Sequence, residues 1–360
     1  MTSSPDQTTE SIHRKLKRRK FGLDRSGVLW GLIAVFAALV IGAIGSGGLR
    51  WFDAALAGYL AGTLFAIFGT VYRYRVWLQR PSTARMNRRG WEAFRRGGVR
   101  SILQLTGLMA TNLGAQTFIR QRSATRWVAH LLVSWGCVLA AAVTFPLVFG
   151  WLHFESVGQN SSQYRAFVSN VPTVSFDSHG VFGWFMFHTL DVSAVLVLAG
   201  VFLFLSRRLR DAGAIAVERS SDMLALAGLF AVSITGLILT ASTLWMAGRF
   251  YTFLTTVHAL TVILGLIYIP FGKFFHIFQR PANLGVQFYR QLGAEGPQQR
   301  CSECSDAFAP AIQIEDLKDV LPQVGLDYRI RGGGNFQDIC PKCRRRLFTL
   351  AQARRVGGFG

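Results

Sequence analysis

The chain has 360 residues, of which 51% are hydrophobic, with 29 Phe and 9 Trp, and a formal net charge of +20. Apolar runs of about 20 residues recur along it, long enough to cross a bilayer, which argues against two or three ordinary soluble domains. The charge excess invites a nucleic-acid partner, but no aromatic–basic recognition motif accompanies it, and none is expected.

The chain opens on MTSSPDQTTESIHRKLKRRK, polar and basic, with no small-residue cleavage site of the signal-peptide kind. It reads as a basic cytoplasmic tail over 1–27. Six apolar runs follow, near 28–46, 53–72, 127–151, 181–205, 222–246 and 253–277. The links alternate in charge: 1–27 holds seven Lys/Arg, 73–126 twelve and 206–219 four, whereas the intervening links carry only Arg50, Arg165 and Arg249. That alternation is the positive-inside pattern and predicts both termini on the cytoplasmic side of the cell (inner) membrane. The expected fold is all-α, a polytopic bundle of about six transmembrane helices.

Between the second and third runs, residues 78–124 mix apolar and basic residues. They read as an amphipathic inner-face segment, either lying on the lipid surface or docking a cytoplasmic partner. The link 152–180 carries Pro172 and several Ser and Asn, so mostly irregular structure is expected there.

VHALTVILGLIYIPFGKFFHI, residues 257–277, is almost wholly apolar yet holds His258 and His276, 18 positions apart. On one helix that spacing is five turns, about 27 Å, and puts both rings on one face, with Pro270 as a possible kink. His130 lies near the inner face of the third run, at the depth of His276. His188 lies near the outer end of the fourth, at the depth of His258. Two imidazole pairs result, His130 with His276 and His188 with His258, as in bundles that hold a haem iron by two axial ligands. Arg126, with Arg122, Arg280 and Lys273, can meet haem propionates or snorkel to the lipid surface. His153 and His179 are weaker ligand candidates, and His13 belongs to the tail. Asp191 stands at i+3 from His188 in an apolar helix, where a carboxylate is rare. It can orient His188, take a proton from a quinol, or simply bond a neighbouring helix.

FIRQRSATRWVAHLLVSWGCVLAAAVTFP and IYIPFGKFFHIFQRP resemble the haem-bearing helices of the nitrate reductase gamma-subunit family. That group includes the membrane cytochromes of heterodisulfide and dissimilatory sulfite reductase systems, and the resemblance spans about residues 53–285. It implies a membrane cytochrome b with two haem b groups. Such a subunit passes electrons between a quinone and a cytoplasmic iron–sulfur subunit, often part of a molybdopterin oxidoreductase. The family's partner helix often supplies a second histidine further along, where this chain has Ala140, so His188 takes that role by depth.

Past Pro281 the apolar runs stop. CSEC at 301–304 and CPKC at 340–343 offer Cys301, Cys304, Cys340 and Cys343 as a tetrahedral thiolate set. In a reducing compartment this suits zinc in a ribbon-like module over 295–348, with a rubredoxin-like single iron as the alternative. The remaining thiol, Cys137, sits alone in an apolar run as a small hydrophobe.

The expected whole is a haem-binding bundle over 28–280, linked to that module. It is a cytochrome b subunit, with Asp191 and Lys273 as candidates for the quinone chemistry. A proton-coupled transporter using the intramembrane His and Asp, or a zinc-ribbon scaffold, are the alternatives.

Overall fold

The computed structural model describes residues 23–158, 162–210, 220–330, 333–355 and 357; the basic tail over 1–22 lies outside them. Among the described residues six helices are long and apolar enough to cross a membrane, and the chain is a membrane protein of mainly helical fold. It divides into two units, one of Arg25–Arg75 with Leu108–Gln279, the other of Val76–Gly107 with Arg280–Gly360. The stretch expected as part of the bundle's inner face therefore groups largely with the C-terminal module.

The membrane unit begins with α1, Arg25–Gly45. Its large side chains, among them Leu29, Phe36 and Ile44, are exposed, while Gly27, Gly31, Gly42 and Gly45 are buried. This inverts a soluble helix: lipid takes the bulky face, and the glycine face lets neighbours approach closely. A Cβ on Gly31 would lie 2.7 Å from the Phe68 ring. Helix α2, Ala57–Leu78, carries Phe68. After the short α4, Thr117–Arg120, the 25-residue α5, Ala124–Val148, is capped by the Ser123 hydroxyl and packs along α6, Val181–Arg210. Their backbones meet at Gly136, where a Cβ would fall 2.9 Å from the Ser193 carbonyl, and at Gly200, 2.9 Å from that of Ala129. Helix α6 packs on α7, Ser220–Trp245, and α7 on α8, Tyr251–Tyr268.

Two expectations fail in this unit. The sixth apolar run is not one helix. It stops at Tyr268, turns through the buried Pro270, makes a 3-10 turn at Lys273–Phe275, and restarts as α9, His276–Glu295. Pro270 has no N–H and its ring crowds the preceding turn, and Gly272 adds freedom two residues on. Arg73 of α2 donates to the Pro270 carbonyl, and its guanidinium lies 4.3 Å from the centroid of Phe275, stapling the broken end. His258 and His276 therefore do not share one helical face.

The link 152–180 is likewise not irregular. It forms a three-stranded antiparallel meander, β1 Leu152–Ser156, β2 Gln163–Val168 and β3 Val171–Asp177. The segments LHFES, QYRAFV and VPTVSFD are rich in aromatic and β-branched residues, which favour strand. Ser169 and Asn170, at φ 48° and 68°, make the tight β2–β3 turn. Phe176 gathers Phe154, Tyr164, Phe182 and Phe187, joining the sheet to the start of α6. His153 lies flat between Trp51, at 4.1 Å, and Phe167, at 4.9 Å. Burial pushes its imidazole down, with Glu155 opposing. The Trp151 indole donates to the Ile41 carbonyl, and the Asn170 amide to that of Gly45.

In the second unit α3, Pro81–Met109, is broken at Gly98, where φ is 51°. Before the break, Gly90 lies close to the Gly285 backbone of α9 and Phe94 packs edge-on against Phe288. A strand pair, β4 Gln298–Arg300 and β5 Ala307–Pro310, leads into α10, Ala311–Gln323, and the chain closes on α11, Pro341–Arg355. Buried Asp316 of α10 ties these parts together, accepting from Arg85 Nε at 2.6 Å, Arg89 at 3.4 Å and the Tyr289 hydroxyl at 3.0 Å. Arg85 also pairs with Asp319.

Candidate functional site

His188 and His258 are each the eighth residue of their helices, α6 and α8. Both helices start from the end where α7 finishes, so both rings stand about 10 Å in from the same end at 1.5 Å per residue. His188 Nδ1 lies 2.8 Å from Asp191 Oδ2, and Thr240 of α7 donates to Asp191 Oδ1 at 2.7 Å. A carboxylate only accepts, so the proton sits on His188 Nδ1 and the ring lone pair on Nε2. The Trp184 indole covers this ring at 5.0 Å.

His258 Nδ1 lies 3.0 Å from the Thr235 hydroxyl of α7. Thr235 gives its own proton to the Ala231 carbonyl at 2.7 Å, so its oxygen accepts from His258 Nδ1–H. Thr261 donates to the His258 carbonyl at 2.7 Å. Gly236 leaves room for the ring, since a Cβ there would already touch His258 Cε1 at 3.4 Å. Among the described residues His188 and His258 do not bond each other; α7 meets His258 directly through Thr235 and His188 through Thr240 and Asp191. Thr235, Thr240 and Thr261 were not singled out from the sequence. Their only signal is hydroxyls inside apolar helices, and which histidine each meets depends on packing.

His130 of α5 packs edge-on against Phe204 of α6, ring centroids 4.9 Å apart. His276 opens α9 and its Nδ1 donates to the Lys273 carbonyl at 2.5 Å, which again places the lone pair on Nε2. Lys273 is exposed in the 3-10 turn, and Arg126 is half-buried in the first turn of α5.

The second constellation is in the other unit. Cys301 follows β4, Cys304 closes the adjoining turn, Cys340 precedes α11 and Cys343 lies in its first turn. Their sulfurs all lie within 4.8 Å of one another. A tetrahedral zinc with Zn–S near 2.3 Å needs sulfurs about 3.8 Å apart, and Cys304 and Cys340 stand at 3.8 Å. Backbone N–H groups of Glu303 and Cys340 point at Cys301 Sγ, at 3.4 and 3.2 Å, and that of Cys343 at Cys340 Sγ, at 3.4 Å. Burial raises the Cys301 thiol, but the backbone N–H groups of Cys340, Cys304 and Glu303 more than offset this, leaving it at about 6. Thiolate is the ligand form, and N–H donors stabilise it. Cys301, Cys340 and Cys343 are buried with Ile339, against Phe308, Phe336 and Leu347, while Cys304 is exposed. The group can bind a metal ion such as zinc. Cys137 stands apart, half-buried in α5.

Among the described residues, six membrane-length helices and a four-cysteine cluster define the class: a polytopic helical membrane protein with a C-terminal cysteine cluster that can bind a metal ion. No family model, curated protein or solved structure matches the sequence.

Proposed function

We propose that the chain is a di-haem cytochrome b subunit that exchanges electrons between a membrane quinone and a cytoplasmic iron–sulfur or molybdopterin partner. The observation that carries the reading is the pinning of imidazoles inside the membrane span. His188 and His258 each have Nδ1 against a protein oxygen, Asp191 Oδ2 and Thr235 Oγ1, and in this reading each would offer Nε2 to the iron. A histidine that holds a metal usually has its other nitrogen fixed in this way. His276 shares the tautomer, bonded to the Lys273 carbonyl. With His130 it would hold the second haem, nearer the basic links.

In this reading haem supplies the one-electron steps, and the chain supplies position and polarity. Asp191 sets the His188 tautomer and adds a negative charge behind it. Both of its oxygens are already engaged, which favours orientation over proton uptake from a quinol. Lys273 and Arg126, at helix ends, would meet propionates or the quinone head. Both termini would be cytoplasmic, as the basic links favour, and the zinc-loaded module would dock the partner there. A rubredoxin-like iron in the same thiolate set would instead pass the electron on.

A pyridine haemochrome assay with a reduced-minus-oxidised spectrum on the purified protein tests the reading. Two b haems per chain are expected. A haem-free protein in a haem-replete host would overturn it and leave the His188–Asp191 pair to a proton-coupled transporter.

A further inference from the structure

Helix α3 changes character at Gly98. Ahead of the break part of its surface is taken up by protein: Arg85 and Arg89 by Asp316 and its neighbours, Gly90 by Gly285, Phe94 by Phe288. Beyond it, Val99, Ile102 and Leu103 are 72%, 55% and 70% exposed, at the i, i+3, i+4 spacing of one helical stripe. Trp91, 54% exposed, stands at the near end. Arg88, Arg95 and Arg96 ahead of the break and Arg100 beyond it are exposed, and among the described residues no ion pair engages any of the four.

We propose that this stretch is a phospholipid-binding surface, with the stripe in the acyl boundary and Arg95, Arg96 and Arg100 on anionic headgroups. An apolar stripe edged by arginines, with an aromatic ring nearby, has the make-up of an interfacial helix. Connectivity favours lipid over a protein partner. The span Ala54–Leu78 ends just before Pro81, and the span Ala124–Val148 begins shortly after Met109. The segment is thus tethered at both ends to the bilayer. Charge selects the lipid: six arginines and one acid, Glu92, lie between Pro81 and Met109, and two of the six are already paired. The inference is independent of haem and of the cysteine site.

Two measurements test it. The full chain is extracted from vesicles of equal parts phosphatidylglycerol and phosphatidylcholine, and retained lipids are counted by native mass spectrometry. The variant R95Q/R96Q/R100Q is expected to lower retained phosphatidylglycerol relative to phosphatidylcholine by roughly tenfold, given the attraction of each surface arginine for an anionic leaflet. Unchanged lipid ratios in a folded variant would overturn the proposal. In the otherwise native chain, benzoylphenylalanine at position 103 is irradiated in the same membranes. An adduct of phospholipid mass is expected, whereas adducts to protein alone would assign the stripe to a partner and overturn the proposal.

Discussion

Thr240 of α7 gives its hydroxyl proton to Asp191 of α6 at 2.7 Å, and that carboxylate in turn holds His188. Three side chains on two helices thus share one proton arrangement in a place where each would be costly alone.

Thr240→Val should therefore destabilise the protein by about 1–3 kcal/mol, because it leaves a half-buried carboxylate oxygen without its donor. Thr240→Ser should restore most of the loss. Thermal unfolding in detergent measures both, and a Val variant as stable as the parent would contradict the arrangement.

Asp191→Asn removes the charge behind His188 while keeping its volume. If His188 ligates haem, one of the two potentials should rise by on the order of 60 mV, a tenfold change in a one-electron equilibrium. Haem content should stay the same. Potentiometric titration in which neither potential moves would separate Asp191 from the ligand.

Gly200→Leu should force α5 and α6 apart, since even a Cβ there lies 2.6 Å from Val133 and 2.9 Å from the Ala129 carbonyl. Overpacking of this kind costs about 1–3 kcal/mol or more. Gly228, with nothing within 4 Å of its Cβ position, is the control. Gly228→Leu should leave the melting temperature nearly unchanged.

One metal ion per chain is expected by elemental analysis. Cys301→Ala should abolish it and expose the apolar surround of Phe308 and Phe336. A strong chelator should act through the exposed Cys304 side first and loosen the C-terminal unit, read by proteolysis between Glu295 and Arg355.

Burial, then the bond to Asp316 and its charge, push the Tyr289 hydroxyl up to about 12 from its usual value near 10. The folded state thus holds this proton more tightly than the unfolded chain. Its contribution is complete below pH 10 and is lost as pH rises through 10 to 12. Tyr289→Phe should remove that part of the alkaline dependence, and equal slopes in both proteins would contradict the assignment.

The six spans were legible because lipid demands long apolar runs whatever the packing. Cys301, Cys304, Cys340 and Cys343 were legible because each pair fixes its own half of a tetrahedron. The break at Pro270 was not. A proline in a membrane helix either kinks or ends it, and here Arg73, 197 residues away in sequence, holds the ended form. The meander over 152–177 was hidden by Pro172, which sits beside the bulge between Arg165 and Phe167 and so disturbs little pairing. Asp191 and His188 could be paired from i+3 spacing, but Thr235 and Thr240 find their partners only across helices.

The fastening of α1 also sets an order on synthesis. Its carbonyls at Ile41 and Gly45 are held by Trp151 and Asn170, made 110 and 125 residues later. Helix α1 must therefore stay without these two donors, and Gly45 without the Trp151 ring that closes over it, until the strands over 152–177 have been made and paired. A truncation ahead of Trp151 would strand α1 without this clasp, and membrane quality control would meet a segment that is inserted but not yet assembled.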